Sequence, residues 1–505
     1  MKINFIEYLR ETVNKFPNKI AIDDNQATIS FSELDKITNN LTAAIISKIK
    51  IFRQPIAVYL PKNRWCILSY ISIFKSGNFY IPLDIKSPIE RVSKILNNVN
   101  PKFIITDAAH KEKLISEGYT GEIILIEDAI NTPLTEETIV EVNEISEQII
   151  DSDPLYAIYT SGSTGNPKGV LMSHKGVIDY VEWAIETYSI DEKEVIGNQG
   201  PFYFDITTLD IYFMVVKGAT LNIIPEGLFS FPTKLIEYVN SKKINFIFWV
   251  PSVLKSISNF DTFSHIKPTS LNKILFSGEV MPNKHLNYWR KNYPKALYSN
   301  LYGPTEITAV CTYYIVNRPF KDDESLPIGK ACKNTQVLII SENGKPAING
   351  EIGELCVRGT CLAYGYINDS ETTNLAFVQN PLHSLYPDLV YKTGDLVYKN
   401  DLDEIIFVGR KDSQIKHLGN RIEPGEIETA ILGIEGVSNV CIIYDDSKKQ
   451  IVAFFIANKK GLEIRKELIS SLPKYMIPTI WIEKENFPLN ANGKINRLEL
   501  KEQLL

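Results

Sequence analysis

The sequence predicts an α/β fold with a large part built on parallel sheet, a smaller barrel-like part, and a small α+β domain at its C-terminal end. Three observations predict it. Short apolar runs rich in Ile, Val, Phe and Tyr alternate with helical patterns over much of the chain, as in repeated βα units. From about residue 336 strands crowd together between Gly-containing turns. From about residue 413 helix and strand patterns restart over a stretch long enough for a separate domain. A chain of 505 residues exceeds what one core supports, so two or more domains are expected.

The N-terminal stretch MKINFIEYLRETVNKF reads as an amphipathic helix, with charges throughout and no signal-peptide core. Residues 155–159 read as a strand running into a Gly/Ser/Thr loop. Asp205 has the position of an N-cap before a helix at 206–214. Apolar Leu235, Ile236 and Val239 have helical spacing within 233–243, and NFIFWVP (245–251) reads as a buried strand. A strand at 272–277, a helix opened by Pro282 and a strand at 297–301 continue the alternation. Strands at 336–340, 351–358 and 404–408, with turns at Asn343-Gly344 and Asn349-Gly350, make the barrel-like part. The last part has a helix after Pro424-Gly425, strands near 437–444 and 450–457, and a helix near 462–471.

Composition excludes several function classes. Apolar residues are 44 % and charged residues 23 %, the balance of a globular protein. A net charge of −6 argues against nucleic acid as the main partner, since phosphate binding needs a basic face. The six cysteines (66, 311, 332, 356, 361, 441) show no CxxC pair and no zinc-site spacing, so they are expected as buried thiols in a reducing compartment. No apolar run reaches 18 residues, so no membrane insertion is expected and a cytoplasmic location follows.

The first chemistry-bearing motif is YTSGSTGNPKG at 159–169. Gly162, Gly165 and Gly169 let backbone N–H groups turn inward as an anion nest. Thr160, Ser161, Ser163 and Thr164 offer hydroxyls to phosphate oxygens, and Lys168 adds a positive charge. It is not the GxxxxGK[ST] loop, because no Lys-Ser/Thr follows Gly165. The competing reading, a flexible surface linker, fits poorly with its place straight after a buried strand.

With this loop the chain resembles the adenylate-forming superfamily, which includes acyl-CoA synthetases, luciferases and amino-acid adenylation domains. Six further stretches match in the expected order: KSGNFYIPLD (75–84), FDITTLDIY (204–212), LYGPTE (301–306), YKTGD (391–395), GRKDSQIKHLGNRIEPGEIE (409–428) and NANGKINR (490–497). The resemblance implies an adenylation core over 1–411 and a mobile C-terminal domain over 412–505, with Asp412 as hinge. It implies ATP and Mg²⁺ as cofactors, with Glu306 as the metal ligand and Thr305 on phosphate. Asn300, Tyr302 and Gly303 match the adenine site, Asp395 the ribose-binding carboxylate, and Arg410 a ribose or phosphate contact. Lys494 matches the catalytic lysine that bridges the substrate carboxylate and the α-phosphate. Thr160, Glu306 and Lys494 form the implied catalytic set, with His174 of MSHKG either as support for it, the reading preferred, or as a satisfied core histidine, and not as a base. On composition alone, Glu306 and Asp395 read as turn residues and Lys494 as a solvated lysine.

Asp205 matches the aspartate that pairs with the α-ammonium of amino-acid substrates, and a buried carboxylate needs a cationic partner. Alignment around the motifs places Ile206, Leu209, Phe248, Leu275, Ser277, Gly278, Leu301, Ala309 and Val310 in the substrate pocket, with Lys494 also implied to bind the substrate. None of the side chains in the pocket wall is charged, so a small or medium, neutral, largely apolar amino acid is expected. The set looks similar to stand-alone prolyl-carrier-protein ligases. LFSGEVMPNK, SLPIG and YMIP resemble D-alanine ligases, but Ser277 departs from the Cys expected there, which favours L-proline over D-alanine. No carrier segment follows Lys494 and no HHxxxD motif occurs, so the acceptor is expected to be the phosphopantetheine arm of a separate carrier protein. The alternative is an acyl- or aryl-CoA ligase, against which Asp205 argues.

Overall fold

The computed structural model describes residues 2–116, 118–162, 166–445, 447–488 and 495–504. The chain divides into two compact units. The first comprises Met1–Leu83, Asn100–Ile158 and Val170–Lys411; the second comprises Asp84–Val99, Tyr159–Gly169 and Asp412–Leu505.

The first unit holds a nine-stranded sheet. Its six central strands are parallel, in the order Leu297–Tyr302, Lys273–Phe276, Phe246–Trp249, Val195–Asn198, Thr220–Ile223 and Ile20–Asp23. Side chains alternate across this sheet, so its two faces feed different cores. Ile247, Trp249, Ile274 and Phe276 pack with Leu235, Ile236, Val239, Leu254, Leu286 and Trp289, which come from the helices Pro232–Ser241, Pro251–Asn259 and Asn283–Asn292. Phe246, Phe248, Leu275 and Leu301 belong to the opposite core, with Tyr180 of helix His174–Tyr188 and Leu209 of helix Thr208–Lys217. That second core also takes in a six-stranded sheet ordered Glu122–Leu125, Phe103–Thr106, Pro55–Tyr59, Phe79–Pro82, Pro154–Thr160 and Lys168–Ser173. The N-terminal helix, Phe5–Lys15, is capped by the Asn4 side chain, which accepts from the N–H groups of Ile6 and Glu7.

The strands expected from 336 onward form a five-stranded antiparallel sheet: Thr335–Ile340, Gly353–Gly359, Leu389–Lys399, Phe377–Gln379 and Ile405–Arg410. The second unit has its own core, in which Ile427 and Ile431 of helix Pro424–Leu432 meet Val440, Ile442 and Phe455 of an antiparallel strand pair. Its earlier segment supplies the helix Ile89–Val99, whose Arg91 makes a buried ion pair with Glu426.

Three sequence readings need adjustment. Pro282 is the N-cap of its helix, not its first residue, because its ψ of 131° is still extended. The helix near 462–471 is shorter, Gly461–Leu468. Asp205 is not an N-cap: Asp205–Thr207 is a 3₁₀ turn before the helix Thr208–Lys217, and the N-cap positions are Phe204 and Thr207. All six cysteines are buried free thiols, and burial pushes the Cys66 thiol up to about 12. Among the described residues no helix is long and apolar enough to cross a membrane.

Candidate active site

Within the first unit, Tyr302 and Arg410 converge on one buried carboxylate. Asp395, 1 % exposed, sits on the strand Leu389–Lys399 opposite Arg410 of the neighbouring strand. Arg410 donates to Asp395 Oδ1 at 2.6 Å, and the Tyr302 hydroxyl donates to Asp395 Oδ2. Burial, with Asp395 beside it, pushes the Tyr302 phenol well above its ordinary range, so it stays a neutral donor. Each carboxylate oxygen retains a second acceptor site, so the group can hold a vicinal diol while remaining fixed by its neighbours. Asn300, two residues before Tyr302, donates from Nδ2 to the Pro327 carbonyl at 2.8 Å.

The strand Leu297–Tyr302 leads through Gly303 and Pro304 into the 3₁₀ turn Thr305–Ile307. A Cβ on Gly303 would lie 2.5 Å from the Ala309 carbonyl oxygen and 2.7 Å from Val310 Cα, so glycine is required there. Thr308 and Ala309 both adopt left-handed φ, 58° and 66°, a strained pair costing about 1–3 kcal/mol per residue. The strain is held by Cys311 N donating to the Tyr302 carbonyl and by Thr308 Oγ1 donating to the Cys361 carbonyl, both at 2.8 Å. Glu306, 1 % exposed, has its Oε1 fixed by the Tyr366 hydroxyl at 2.7 Å. A single buried carboxylate suits a Mg²⁺ that brings most of its ligands as phosphate oxygens and waters. Among the described residues no cluster of three or more acidic, His or Cys side chains makes a resident metal centre.

The expected pocket residues share one core. Leu209, Phe248, Leu275, Leu301, Ala309 and Val310 are buried together, with Ile206 packed against them. Phe248 is paired in register with Leu275, and Ser277 and Gly278 follow at the C-terminal end of that strand, where ligands gather in open α/β sheets. Asp205 is partly exposed at the start of the turn that leads into Leu209.

The second unit holds the loop. Thr160 ends its strand, and the Ser161 hydroxyl donates to the Arg421 carbonyl at 2.7 Å. Gly162 is another enforced glycine, since a Cβ would lie 2.0 Å from the Asn166 carbonyl oxygen. Lys168 starts the next strand. Asp412 opens the unit's last segment, and its Oδ1 accepts from Gln414 N. Ser163, Thr164, Gly165 and Lys494 lie outside the described residues.

His174 needs a correction. It is 1 % exposed, packs against Phe5 and Phe74 with centroids 5.9 and 6.3 Å away, and its Nδ1 has no hydrogen-bond partner among the described residues. Burial pushes its imidazole down to about 4. It is a neutral core residue and is unsuited to proton transfer. Tyr366 was missed by the sequence reading, because nothing near it in sequence announces a partner 60 residues away.

The model of a family described as AMP-binding enzyme matches residues 9–367. The zwittermicin A synthase ZmaJ of Bacillus cereus is 31 % identical, covering 96 % of this chain and 92 % of its own. A D-alanine–D-alanyl carrier protein ligase of Bacillus licheniformis is 30 % identical, covering 98 % of this chain and 99 % of its own. Among solved structures, the Vibrio cholerae adenylation domain AlmE in complex with glycyl-adenosine-5'-phosphate has a TM-score of 0.86 at 23 % identity, covering 100 % of this chain and 98 % of that one.

Proposed function

The chain belongs to the AMP-binding enzyme family and is an AMP-forming ligase, and from that premise we propose that it activates a small neutral amino acid and loads it onto a separate carrier protein. The observation that supports this reading is that Asp205 opens the turn leading into Leu209, whose core also takes in Phe248, Leu275, Leu301, Ala309 and Val310: a carboxylate next in the chain to uncharged side chains suits a substrate with a cationic end and a neutral body. The relatives named as carrier protein ligases support the acceptor.

In the proposed reaction the substrate carboxylate attacks the α-phosphorus of ATP. A P–O bond to the carboxylate forms, the bond to the β-phosphate breaks, and pyrophosphate leaves. Asp395 takes the ribose hydroxyls, with Tyr302 and Arg410 holding its orientation, and Asn300, Tyr302 and Gly303 border the base. Bound Mg²⁺ would supply positive charge on the phosphates; Glu306 would hold it, with Tyr366 fixing that carboxylate, and Thr305 stands beside it. The 159–169 loop is proposed to cradle the phosphates, and Lys494 to neutralise charge where the new bond forms. The carrier's phosphopantetheine thiol then attacks the carbonyl carbon, its proton is released, and AMP leaves. Asp412 is proposed as the hinge between the two half-reactions.

L-Proline is the substrate favoured by the pocket side chains, whereas the named D-alanine ligase relatives support D-alanine. Pyrophosphate exchange with both enantiomers of proline and alanine, glycine, and aromatic and fatty acids tests the reading. Exchange confined to small amino acids, with transfer to a phosphopantetheinylated carrier, is expected. Exchange only with aromatic or fatty acids, and release as a free coenzyme A thioester, would overturn it.

A further inference from the structure

The loop that carries Asp205 and Ile206 is tied at its base by a buried pair. Asn198 ends the strand Val195–Asn198, and Asp210 stands in the first turn of the helix Thr208–Lys217, so residues 199–207 lie between them. Asn198 is 0 % and Asp210 1 % exposed, and Asn198 Nδ2 donates to Asp210 Oδ2 at 2.8 Å. The two limbs of the loop touch: a Cβ on Gly200 would lie 2.7 Å from Thr207 Cγ2 and 2.9 Å from Ile206 Cγ2. At the same end Lys62 Nζ donates to the Gln199 carbonyl at 2.8 Å.

The pair as ionised would be half made. Asn198 Oδ1 and Asp210 Oδ1, both acceptors, have no hydrogen-bond partner among the described residues. Two buried acceptors left unpaired are costly, and a single proton removes both costs. An amide and a protonated carboxyl have matching planar forks. With the proton on Asp210 Oδ1, that O–H donates to Asn198 Oδ1 while Asn198 Nδ2 still donates to Oδ2. Burial pushes the Asp210 carboxyl up to about 7, in agreement with such a proton. The strands Val195–Asn198 and Thr220–Ile223 carry no titratable side chain to oppose it. Helix Phe5–Lys15 meets this helix through Phe5, stacked on Tyr212, and Thr12, which donates to the Val216 carbonyl. The Tyr212 hydroxyl is engaged with Tyr80, and helix His174–Tyr188 brings His174 and Tyr180, both held neutral by burial. Asp205 stands on the turn before the helix and Lys217 at its far end. The charge of Lys62 acts on Asp210 in the opposite sense to burial and is the weaker influence.

We infer that Asn198 and a protonated Asp210 are positioning residues for amino-acid binding: their closed acid–amide pair clamps the base of the 199–207 loop and so sets where Asp205 and Ile206 stand. The inference rests on the amino-acid ligase reading, in which Asp205 takes the ammonium. Asn300, Tyr302, Glu306 and Asp395 stand on other elements, so the clamp acts on the amino acid and not on the nucleotide. Loss of the proton as pH rises sets a carboxylate oxygen against Asn198 Oδ1, and the clamp opens. Asp210→Asn keeps the fork: its amide donates to Asn198 Oδ1 and accepts from Asn198 Nδ2, with no proton to lose. Asp210→Leu fills the space and makes neither bond.

The test is pyrophosphate exchange by the full chain and its Asp210→Asn and Asp210→Leu variants between about pH 6 and about pH 8, with glycine, both alanines and L-proline, and with thermal midpoints recorded. In the wild type KM for the amino acid is expected to rise about tenfold over that range, with KM for ATP constant within about twofold. Asp210→Asn is expected to hold the low KM throughout, and Asp210→Leu to show a raised amino-acid KM at both ends. The infrared C=O band of a protonated carboxyl, present in the wild type at the lower pH and missing from Asp210→Asn, reads the proton independently of activity. A wild-type pH dependence retained in Asp210→Asn, an unchanged amino-acid KM in Asp210→Leu, an equal rise in KM for ATP, or no such band would overturn the inference while leaving the ligase reading intact. A wild type that exchanges with carboxylic acids lacking an amine, and with no amino acid, would sink both.

Discussion

Asp210, one residue beyond Leu209, is 1 % exposed; its Oδ2 accepts from Asn198 at 2.8 Å and its Oδ1 has no partner among the described residues. Burial pushes this carboxyl up to about 7 from 3.8, against the weaker pull of Asn198 and Lys62. Between those two values the unfolded chain releases the proton and the folded chain keeps it. Stability therefore falls as pH rises from about 4 to about 7, by roughly 1.4 kcal/mol per unit, and levels off above. Asp210→Asn cannot titrate, so its stability relative to wild type should rise over that window, by up to about 4 kcal/mol in urea unfolding. Parallel curves for the two proteins would show that Asp210 is ionised in the fold. His174 is the opposite case, a group of the titrating type that the core holds neutral at neutral pH.

At the scale of elements, the turn from Leu297–Tyr302 into Thr305–Ile307 carries the most consequence. Its glycine touches backbone, which cannot move as a flexible side chain could. Gly303→Ala should displace residues 308–310, cost about 1–3 kcal/mol of stability and raise KM for the amino acid, since Ala309 and Val310 move with it. Wild-type unfolding and kinetics in that variant would contradict the geometry. Such motifs were legible in the sequence because a strand, a glycine and a turn are local signals. The Asp395–Arg410 pair was half legible: both residues stand in recognisable motifs, but only strand register brings them opposite each other. Tyr366 on Glu306 was not legible, because it reaches its place through packing between elements distant in sequence. Asp205 carried two readings, because Asp before a helical pattern serves as a cap or as a ligand, and only the backbone shows that Phe204 holds the N-cap position.

For the whole molecule, the α/β alternation, the antiparallel part after 335 and the small C-terminal part were readable from periodicity, since strand and helix periods differ. The grouping of Asp84–Val99 and Tyr159–Gly169 with Asp412–Leu505 was not, because contact between distant segments leaves no local trace. The account of what the enzyme activates depends on Asp205 more than on any other group, since the nucleotide-binding residues would serve any carboxylic acid. The most direct measurement is kcat/KM for amino-acid-dependent pyrophosphate exchange in Asp205→Ala, with the thermal midpoint recorded alongside. A fall on the order of 10²–10³-fold at an unchanged midpoint is predicted, from the loss of the ammonium's charge partner. An unchanged kcat/KM would contradict the account.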